Sequence, residues 1–246
     1  MTSPIPSELV DTLRSANRVV VLTGAGVSAE SGVPTFRDAQ TGLWSQYSPE
    51  ELATPRAFRQ NPKLVWEWYQ WRRELVSKAK PNPAHYALVE MQELFPEFTL
   101  ITQNVDGLHR LPGSNIIIEL HGNIHRTKCF QEGTIVESWK DTGDVPPKCP
   151  DCGGWLRPDV VWFEEPLPEA ELESAMKASR KADVFFSIGT SGLVYPAASL
   201  PHEALNHNAT LVEINPAPTP LTPKADFMLK GPAGVILPEL VKALRK

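Results

Sequence analysis

The sequence predicts an α/β protein with a Rossmann-like parallel sheet and a smaller inserted lobe. Three observations lead to this fold class. The β-branched apolar run at residues 19–22 breaks into Gly24 and Gly26, which is typical of a buried parallel strand turning into a nucleotide-binding loop. Further short apolar runs alternate with helical patterns, whereas residues 124–156 are rich in turns and hold all three cysteines. The chain has 246 residues, 41% of them hydrophobic, which is enough for one large core.

Charge and composition exclude several classes of function. The net charge is −5, so no basic excess is present to neutralise the phosphates of a nucleic acid. The N-terminal segment lacks the basic and apolar regions of a secretion signal, and no apolar run approaches the length of a membrane span. An odd number of cysteines favours a metal site or free thiols over a disulfide framework. We therefore expect a cytoplasmic protein, most simply a monomer, that binds neither nucleic acid nor membranes.

Helices are indicated by apolar positions at helical spacing and by start signals. Residues 61–62 and 82–83 each place an N-cap asparagine before a proline at the first helical position. Pro34 has the opposite effect, because a proline disfavours helical backbone at the residue before it and so interrupts the helix after the glycine loop. The predicted helices are 7–16, 62–79, 84–94, 169–181 and 196–206, and the predicted strands are 19–22, 98–102, 116–120, 184–188 and 210–214.

Changes in the pattern of predicted strands, helices and turns divide the chain into two parts. The large Rossmann-like part comprises about 1–50, 81–123 and 157–246. The small lobe comprises a helical insertion of about 51–80 and a zinc-ribbon-like insertion of about 124–156.

Polar residues follow the predicted strands at the edge where a parallel sheet binds ligands. Gln103, Asn104 and Asp106 come after one strand, and His121 comes after the next. Such a trio is often turn chemistry, and a lone histidine is usually structural. At this edge, however, they would share one crevice with the glycine loop. Imidazole is also the side chain whose pKa suits a general base near neutral pH.

The glycine loop itself offers a phosphate site. Gly24 and Gly26 let the backbone approach a pyrophosphate closely, and the following amides with Ser28 can donate to its oxygens. Phe36 and Arg37 put an aromatic ring and a cation on a segment able to cover a bound dinucleotide. The alternative for this stretch is a nucleotide-fold loop without catalysis.

Several longer strings resemble one known family. GAGVSAESGVPTFR, from Gly24 to Arg37, resembles the first signature of the sirtuins, the NAD-dependent protein deacylases. QNVDGLH at 103–109 resembles the second signature and LHG at 120–122 the third. Segments 189–196, 213–215 and 231–233 also match the family pattern, so the resemblance runs from about residue 18 to the end.

The resemblance implies roles for individual residues. Asp106 would recognise the nicotinamide carboxamide of NAD, Asn104 would orient the ribose and an attacking water, and Gln103 would contact the ribose. His121 would be the general base, so His121 and Asn104 are the expected catalytic residues. The expected NAD-binding residues are Gly24, Ala25, Gly26, Ser28, Glu30, Phe36, Arg37, Gln103, Asn104, Val105, Asp106, Gly189, Thr190, Ser191, Asn215 and Ala233.

Substrate choice is expected to depend on Ala53, Tyr69 and Arg72. The phenol and the guanidinium lie three residues apart on a predicted helix, so they can reach the same point, although a solvated helix face would have the same pattern. Ala53-Thr-Pro followed by Tyr-x-x-Arg resembles the sirtuins that remove succinyl and malonyl groups. Succinyl ends in a carboxylate, which requires a guanidinium and a hydroxyl donor, whereas acetyl ends in a methyl.

A second substrate segment is expected at Val161, Trp162 and Phe163. The stretch 160–164 could be a plain buried strand, but in sirtuins the matching segment offers its backbone edge to the peptide substrate. The usual Phe-Gly-Glu of the family is Phe-Glu-Glu here, with Glu164 in place of the glycine.

The metal signal is incomplete. A zinc ribbon has two Cys-x-x-Cys pairs, and here only Cys149 and Cys152 form one, because Glu132 stands where a partner of Cys129 should be. Either zinc is held by the three cysteines with Glu132, His125 or water as fourth ligand, or the lobe folds without metal.

The resemblance therefore implies an NAD-dependent protein-lysine deacylase. It would act on acylated-lysine proteins or peptides, remove succinyl, malonyl and acetyl groups, and release nicotinamide and O-acyl-ADP-ribose. A dehydrogenase would share the glycine loop, but the interrupted helix and the cysteine lobe fit it poorly. A non-catalytic NAD-binding module is disfavoured by the intact set of Asn104, Asp106 and His121, and ADP-ribosyl transfer to protein stays open because it shares the first chemical step.

Overall fold

The computed structural model describes residues 4–34 and 47–246. A parallel sheet in the order β3-β2-β1-β6-β7-β8 lies at its centre, and an antiparallel pair, β4 and β5, lies apart from it. The parallel strands are β1 (Arg18–Thr23), β2 (Glu97–Thr102), β3 (Ile117–Glu119), β6 (Val184–Ile188), β7 (Thr210–Asn215) and β8 (Phe227–Lys230); the antiparallel strands are β4 (Gly122–Cys129) and β5 (Leu156–Val160).

Helices connect these strands, and their first turns explain where several of them begin. The Asn61 side chain accepts a hydrogen bond from the backbone N–H of Leu64 at 3.1 Å, and Asn82 accepts one from Ala84 at 2.9 Å, as N-caps do. The described helices are α1 (Ser7–Ser15), α2 (Ala25–Ala29), α3 (Pro49–Leu52), α4 (Pro55–Gln60), α5 (Pro62–Lys78), α6 (Pro83–Leu94), α7 (Glu169–Lys181), α8 (Leu200–Asn206) and α9 (Ala233–Leu244).

Strand order places a switch point beside β1. The chain leaves β1 for β2 and β3 on one side, then returns to β6 on the other side and continues to β7 and β8. The connections that follow β1 and β6 therefore run to opposite sides of the sheet from its carboxyl edge, where open parallel sheets bind ligands.

The core lies on both faces of the sheet. Val19 and Val21 of β1 point into a cluster with α1, α6 and α9, whereas Val20 and Leu22 point into a cluster with α7 and α8. This alternation is why the central strands are apolar at every position.

Two further apolar clusters lie outside the sheet. One joins α4 and α5 to the β4–β5 pair and contains Phe58, Trp68 and Trp162. The other surrounds the buried thiols of Cys129 and Cys149. The division into a large part and a small lobe stays a prediction, because these clusters alone do not define the boundaries between the two parts.

The α/β fold class is confirmed, as are the predicted strands in the parallel sheet and the helices before 196. The predicted helix over 196–206 begins instead as a 3₁₀ turn, Ala197–Ser199, before α8. The alternative of a plain buried strand over 160–164 is wrong beyond Val160, because β5 ends there and pairs with β4. Strands β4, β5 and β8 and helices α3, α4 and α9 were not among the predicted elements. Within the described ranges, no helix is long and apolar enough to cross a membrane.

Candidate active site

The loops after β1 and β6 touch at the carboxyl edge of the sheet. The backbone N–H of Gly24 donates to the carbonyl of Ile188 at 3.0 Å, and that of Gly26 donates to the carbonyl of Gly189 at 2.8 Å. A Cβ on Gly26 would lie 2.8 Å from the Cα of Gly189, closer than atoms pack. Glycine is therefore required here for contact between two loops, a reason additional to the predicted approach of a pyrophosphate.

Asn104 is fixed against the glycine loop. Its Nδ2 donates to the carbonyl of Gly24 at 3.0 Å and to Oγ of Ser28 at 3.1 Å. Because a carbonyl only accepts, the amide nitrogen must face the loop and Oδ1 must face away from it. Ala25 begins α2 in the same loop, and both Ser28 and Asn104 are buried.

Residues at the ends of β2, β6 and β7 form a second connected group. Nε2 of Gln103 donates to Oγ1 of Thr190 at 3.0 Å, and Nδ2 of Asn215 donates to the carbonyl of Thr190 at 3.1 Å. Ser191, the next residue, is exposed. The ends of three strands are thereby tied together along one edge of the crevice.

Glu30 contacts the first turn of α9, which begins at Ala233. Ala233 is its first residue and is buried, and the backbone N–H of Gly234 donates to Oε1 of Glu30 at 2.8 Å. A carboxylate at a helix N-terminus is favoured by the helix dipole, so Glu30 has a structural partner. Its predicted contact with NAD stays a prediction.

His121 is held in one tautomer. Its Nδ1 lies 2.9 Å from the carbonyl oxygen of Gln103, which only accepts, so Nδ1 carries the proton and Nε2 keeps a free lone pair. Burial lowers the pKa of His121, and the bond to Gln103 opposes this in part. The imidazole is therefore neutral near pH 7, the form that a general base needs.

Asp106 lies in the same crevice and is buried. Its Oδ1 accepts a hydrogen bond from the backbone N–H of Leu108 at 2.9 Å, and its backbone carbonyl accepts one from Nε2 of His125 at 3.1 Å. The carbonyl of Val105 accepts from the N–H of Ile124 at 2.8 Å, which anchors the segment to β4.

Tyr69 and Arg72 are buried, which overturns the alternative of a solvated helix face. The hydroxyl of Tyr69 accepts a hydrogen bond from Nε1 of Trp162 at 3.0 Å, and burial raises the pKa of Tyr69 to about 12. Burial lowers the pKa of Arg72, whereas Tyr69 and Asp106 act to raise it. The guanidinium carbon lies 5.0 Å from the ring centroid of Trp68.

The expected peptide segment borders this pocket. The backbone N–H of Phe163 donates to the carbonyl of Ala53 at 3.0 Å, and that of Val161 donates to the carbonyl of His121 at 2.9 Å. Trp162 is buried between them, whereas Phe163 is exposed. The segment thus connects the predicted base to the predicted acyl pocket.

The thiols of Cys129, Cys149 and Cys152 converge. Their sulfur atoms lie within 4.8 Å of one another, and in the described part of the chain neither Glu132 nor His125 joins them. The backbone N–H groups of Glu132 and Gly154 approach Sγ of Cys129 and Cys152 respectively, each at 3.4 Å. Three sulfurs with N–H donors fit zinc, which binds cysteine as thiolate.

Two of the predicted site residues are not described by the structure, and a further group of residues was not predicted. Phe36 and Arg37 lie outside the described residues. The hydroxyls of Thr23 and Thr102 and the imidazole of His109 form an unpredicted buried network behind Asn104. The position of Thr102 at a strand end, directly before the amide pair, was the available signal.

The fold and this edge define a class of α/β enzymes that bind a dinucleotide where the strand order of a parallel sheet reverses. Comparison with known proteins identifies the family. Residues 24–196 match the model of the Sir2 family. An NAD-dependent protein deacylase of Pyrococcus abyssi is 52% identical, covering 97% of this chain and 98% of that protein. The chain belongs to the Sir2 family, the sirtuins.

Solved structures agree with this assignment. A structure described as a Sir2 homolog–NAD complex has a TM-score of 0.91 and 47% identity, covering 99% of this chain and 95% of the other. Another, described as "Sir2-p53 peptide-NAD+", has a TM-score of 0.83 and 31% identity, covering 96% and 97% of the two chains. The predicted enzyme class, an NAD-dependent protein deacylase, is confirmed, and the dehydrogenase alternative is wrong.

Proposed function

We propose that this enzyme removes succinyl and malonyl groups, as well as acetyl groups, from lysine side chains of proteins. The products would be free lysine, nicotinamide and O-acyl-ADP-ribose. The observation that carries the proposal is the burial of Tyr69 and Arg72 side by side on α5, next to the segment at 161–163.

The chemistry of the pocket favours an acidic acyl tail. A buried guanidinium is removed from bulk water, so a carboxylate that pairs with it forms a strong, charge-assisted hydrogen bond. The phenol of Tyr69 and the carboxylate of Asp106 act to raise the pKa of Arg72, but burial outweighs them and lowers it. An acidic tail at this point would stabilise the cation. Acetyl offers no such partner, although the space left by Ala53 admits it.

The remaining residues support acyl transfer at the sheet edge. NAD, when bound, supplies the ribose that receives the acyl group. His121 takes a proton from a ribose hydroxyl at Nε2, since Nδ1 is already committed to the carbonyl of Gln103. Asn104 holds the ribose and an attacking water in place with Oδ1. The buried amides and hydroxyls along this edge are the donor set that a ribose and a pyrophosphate require.

Three peptides and two variants test the acyl preference. Identical peptides carrying succinyl-, malonyl- or acetyl-lysine are incubated with NAD, and products are identified by mass spectrometry. We expect Arg72→Met to lower kcat/KM for the succinyl peptide roughly 10- to 100-fold relative to the acetyl peptide, the loss of a charge-assisted pair. Lys63→Met, which removes an exposed cation from the same helix, is the control. An unchanged ratio in Arg72→Met would rule out this role.

We also propose that the protein binds one zinc ion at its cysteines, is monomeric and works in the cytoplasm. The converging sulfurs of Cys129, Cys149 and Cys152 support the zinc site, with water as fourth ligand. The other two proposals rest on the sequence alone.

A further inference from the structure

Trp162 donates the hydrogen bond that the Tyr69 hydroxyl accepts. The distance from Nε1 to the phenolic oxygen is 3.0 Å, and both side chains are almost fully buried. We propose that Trp162 is a positioning residue for acyl specificity: its indole N–H turns the Tyr69 hydroxyl so that the phenol presents its proton to the acidic tail of the acyl group. This inference rests on the proposed acyl pocket and assigns the Trp162 side chain a role separate from the predicted backbone contact with peptide.

The hydrogen-bond donors and acceptors of Trp162 and Tyr69 lead to this role. Indole N–H is only a donor, so the phenolic oxygen must be the acceptor in this bond. The phenolic O–H prefers the plane of its ring, which leaves two orientations. With the indole on one side, the proton is directed to the other side. Because burial raises the pKa of Tyr69 to about 12, the hydroxyl keeps that proton at physiological pH.

Trp162 is held rigidly enough to impose this orientation. Its backbone N–H donates to Oε2 of Glu165 at 2.8 Å, and the guanidinium carbon of Arg157 lies 3.2 Å from the centroid of its ring. Arg157 and Glu165 are themselves ion-paired. The ring centroid of Phe58 lies 5.3 Å from that of Trp162. A ring packed in this way cannot turn its N–H away from Tyr69 without disrupting several contacts.

The consequence differs between acyl groups. A carboxylate tail needs donors, and Tyr69 together with Arg72, three residues further along α5, supplies a hydroxyl and a guanidinium. Without the indole N–H the hydroxyl is free to rotate, and one of its two orientations turns the oxygen lone pairs toward the carboxylate. A methyl tail does not distinguish the two orientations.

A double-mutant cycle tests the inference. Trp162→Phe keeps an aromatic ring and removes the N–H, Tyr69→Phe removes the hydroxyl, and both are combined. We expect Trp162→Phe to lower the ratio of desuccinylation to deacetylation, measured as kcat/KM, about tenfold. We expect the double variant to show the same ratio as Tyr69→Phe alone, because the indole acts only through the hydroxyl. Trp139→Phe, which changes a tryptophan packed on Trp66, is the matched control.

Each outcome has one meaning. A wild-type ratio in Trp162→Phe, or losses that add in the double variant, would overturn the role of Trp162 while leaving the acyl pocket in place. Absence of desuccinylation by the wild-type enzyme would overturn the proposed function itself and this inference with it. If Trp162→Phe does not fold, 3-benzothienylalanine at position 162 replaces the N–H by sulfur in a ring of nearly the same shape, and the same ratio decides.

Discussion

The backbone N–H of Asn104 donates to Oγ1 of Thr102 at 3.0 Å. Oγ1 of Thr102 also lies 2.9 Å from the hydroxyl of Thr23, which in turn lies 3.0 Å from Nε2 of His109. All four residues are buried. The backbone of Asn104 is therefore held from within the core, while its side chain is held by the glycine loop, and the two sets of bonds together fix the direction of Oδ1.

Thr102→Val tests this support, because valine keeps the shape of threonine and removes the hydroxyl. We expect kcat/KM for NAD to fall roughly tenfold, since a buried N–H left without an acceptor costs about 1–3 kcal/mol and shifts Asn104. The measurement is nicotinamide release at limiting NAD. Thr102→Ser retains the hydroxyl and should behave like wild type; equal activity of the valine and serine variants would contradict the prediction.

The pH dependence of turnover follows from the environment of His121. Burial lowers its pKa below the ordinary value of ~6.5. A general base works only when neutral, so activity is retained above the lowered pKa and lost as the pH falls through it. We expect the acid limb of kcat/KM for acyl peptide to have its midpoint below ~6.5, measured by nicotinamide release at saturating NAD. His121→Asn should lose at least ~100-fold at every pH. A midpoint above ~7 in wild type would exclude His121 as the base.

Stability should depend on pH through a different histidine. Burial lowers the pKa of His109 to about 3, and His85, with its ring centroid 4.8 Å away, adds to this. In the unfolded chain the same imidazole titrates near ~6.5, so below that pH the unfolded state binds a proton that the folded state does not bind. We expect the free energy of unfolding to fall by about 1.4 kcal/mol per pH unit below ~6.5 from His109 alone, down to its folded pKa.

Urea unfolding at several pH values measures this effect. His109→Gln keeps a side-chain N–H near Thr23 and removes the titration, so its unfolding free energy should depend less steeply on pH. The variant provides its own control for carboxylates, which titrate in both proteins. Parallel pH curves for the two proteins would show that His109 is not responsible.

Sequence patterns predicted those parts of the molecule whose causes are local. The helix beginning at Pro62 follows from an N-cap and a proline, and the central strands follow from apolar runs buried on both faces. Strand β8 was missed because Phe227–Lys230 is four residues long, half-buried and at the sheet edge, where no continuous apolar run is needed.

The candidate site, too, was predictable only where its causes are local in the sequence. The spacing of Tyr69 and Arg72 on one helix was readable, since three residues make less than one helical turn. The bond from Trp162 to Tyr69 was not readable, because 93 residues separate the partners and only the packing of β5 against α5 brings them together. The contact between Gly26 and Gly189 was hidden for the same reason.

The cysteine cluster is the last feature with a direct test. Three thiolates and a water make a zinc site with one exchangeable position, whereas structural sites usually have four protein ligands. The sulfurs of Cys129 and Cys152 lie 3.4 Å apart, close to the separation of two ligands on one ion. We expect about one zinc per chain in protein purified without added metal, and loss of zinc in Cys149→Ser together with a lower Tm.

Position 132 distinguishes a three-thiolate site from a metal-free lobe. Glu132→Cys would complete the second Cys-x-x-Cys pair, so if zinc is bound at these sulfurs, the variant should hold it roughly tenfold longer against a chelator than wild type does, because a thiolate replaces an exchangeable water. Release is followed with a zinc-sensitive dye. Glu137→Cys, which adds a thiol at an exposed position of the same lobe, controls for adventitious binding. Clearly sub-stoichiometric zinc in folded wild-type protein would mean that the packing around Cys149 and Leu156 stabilises the lobe without metal.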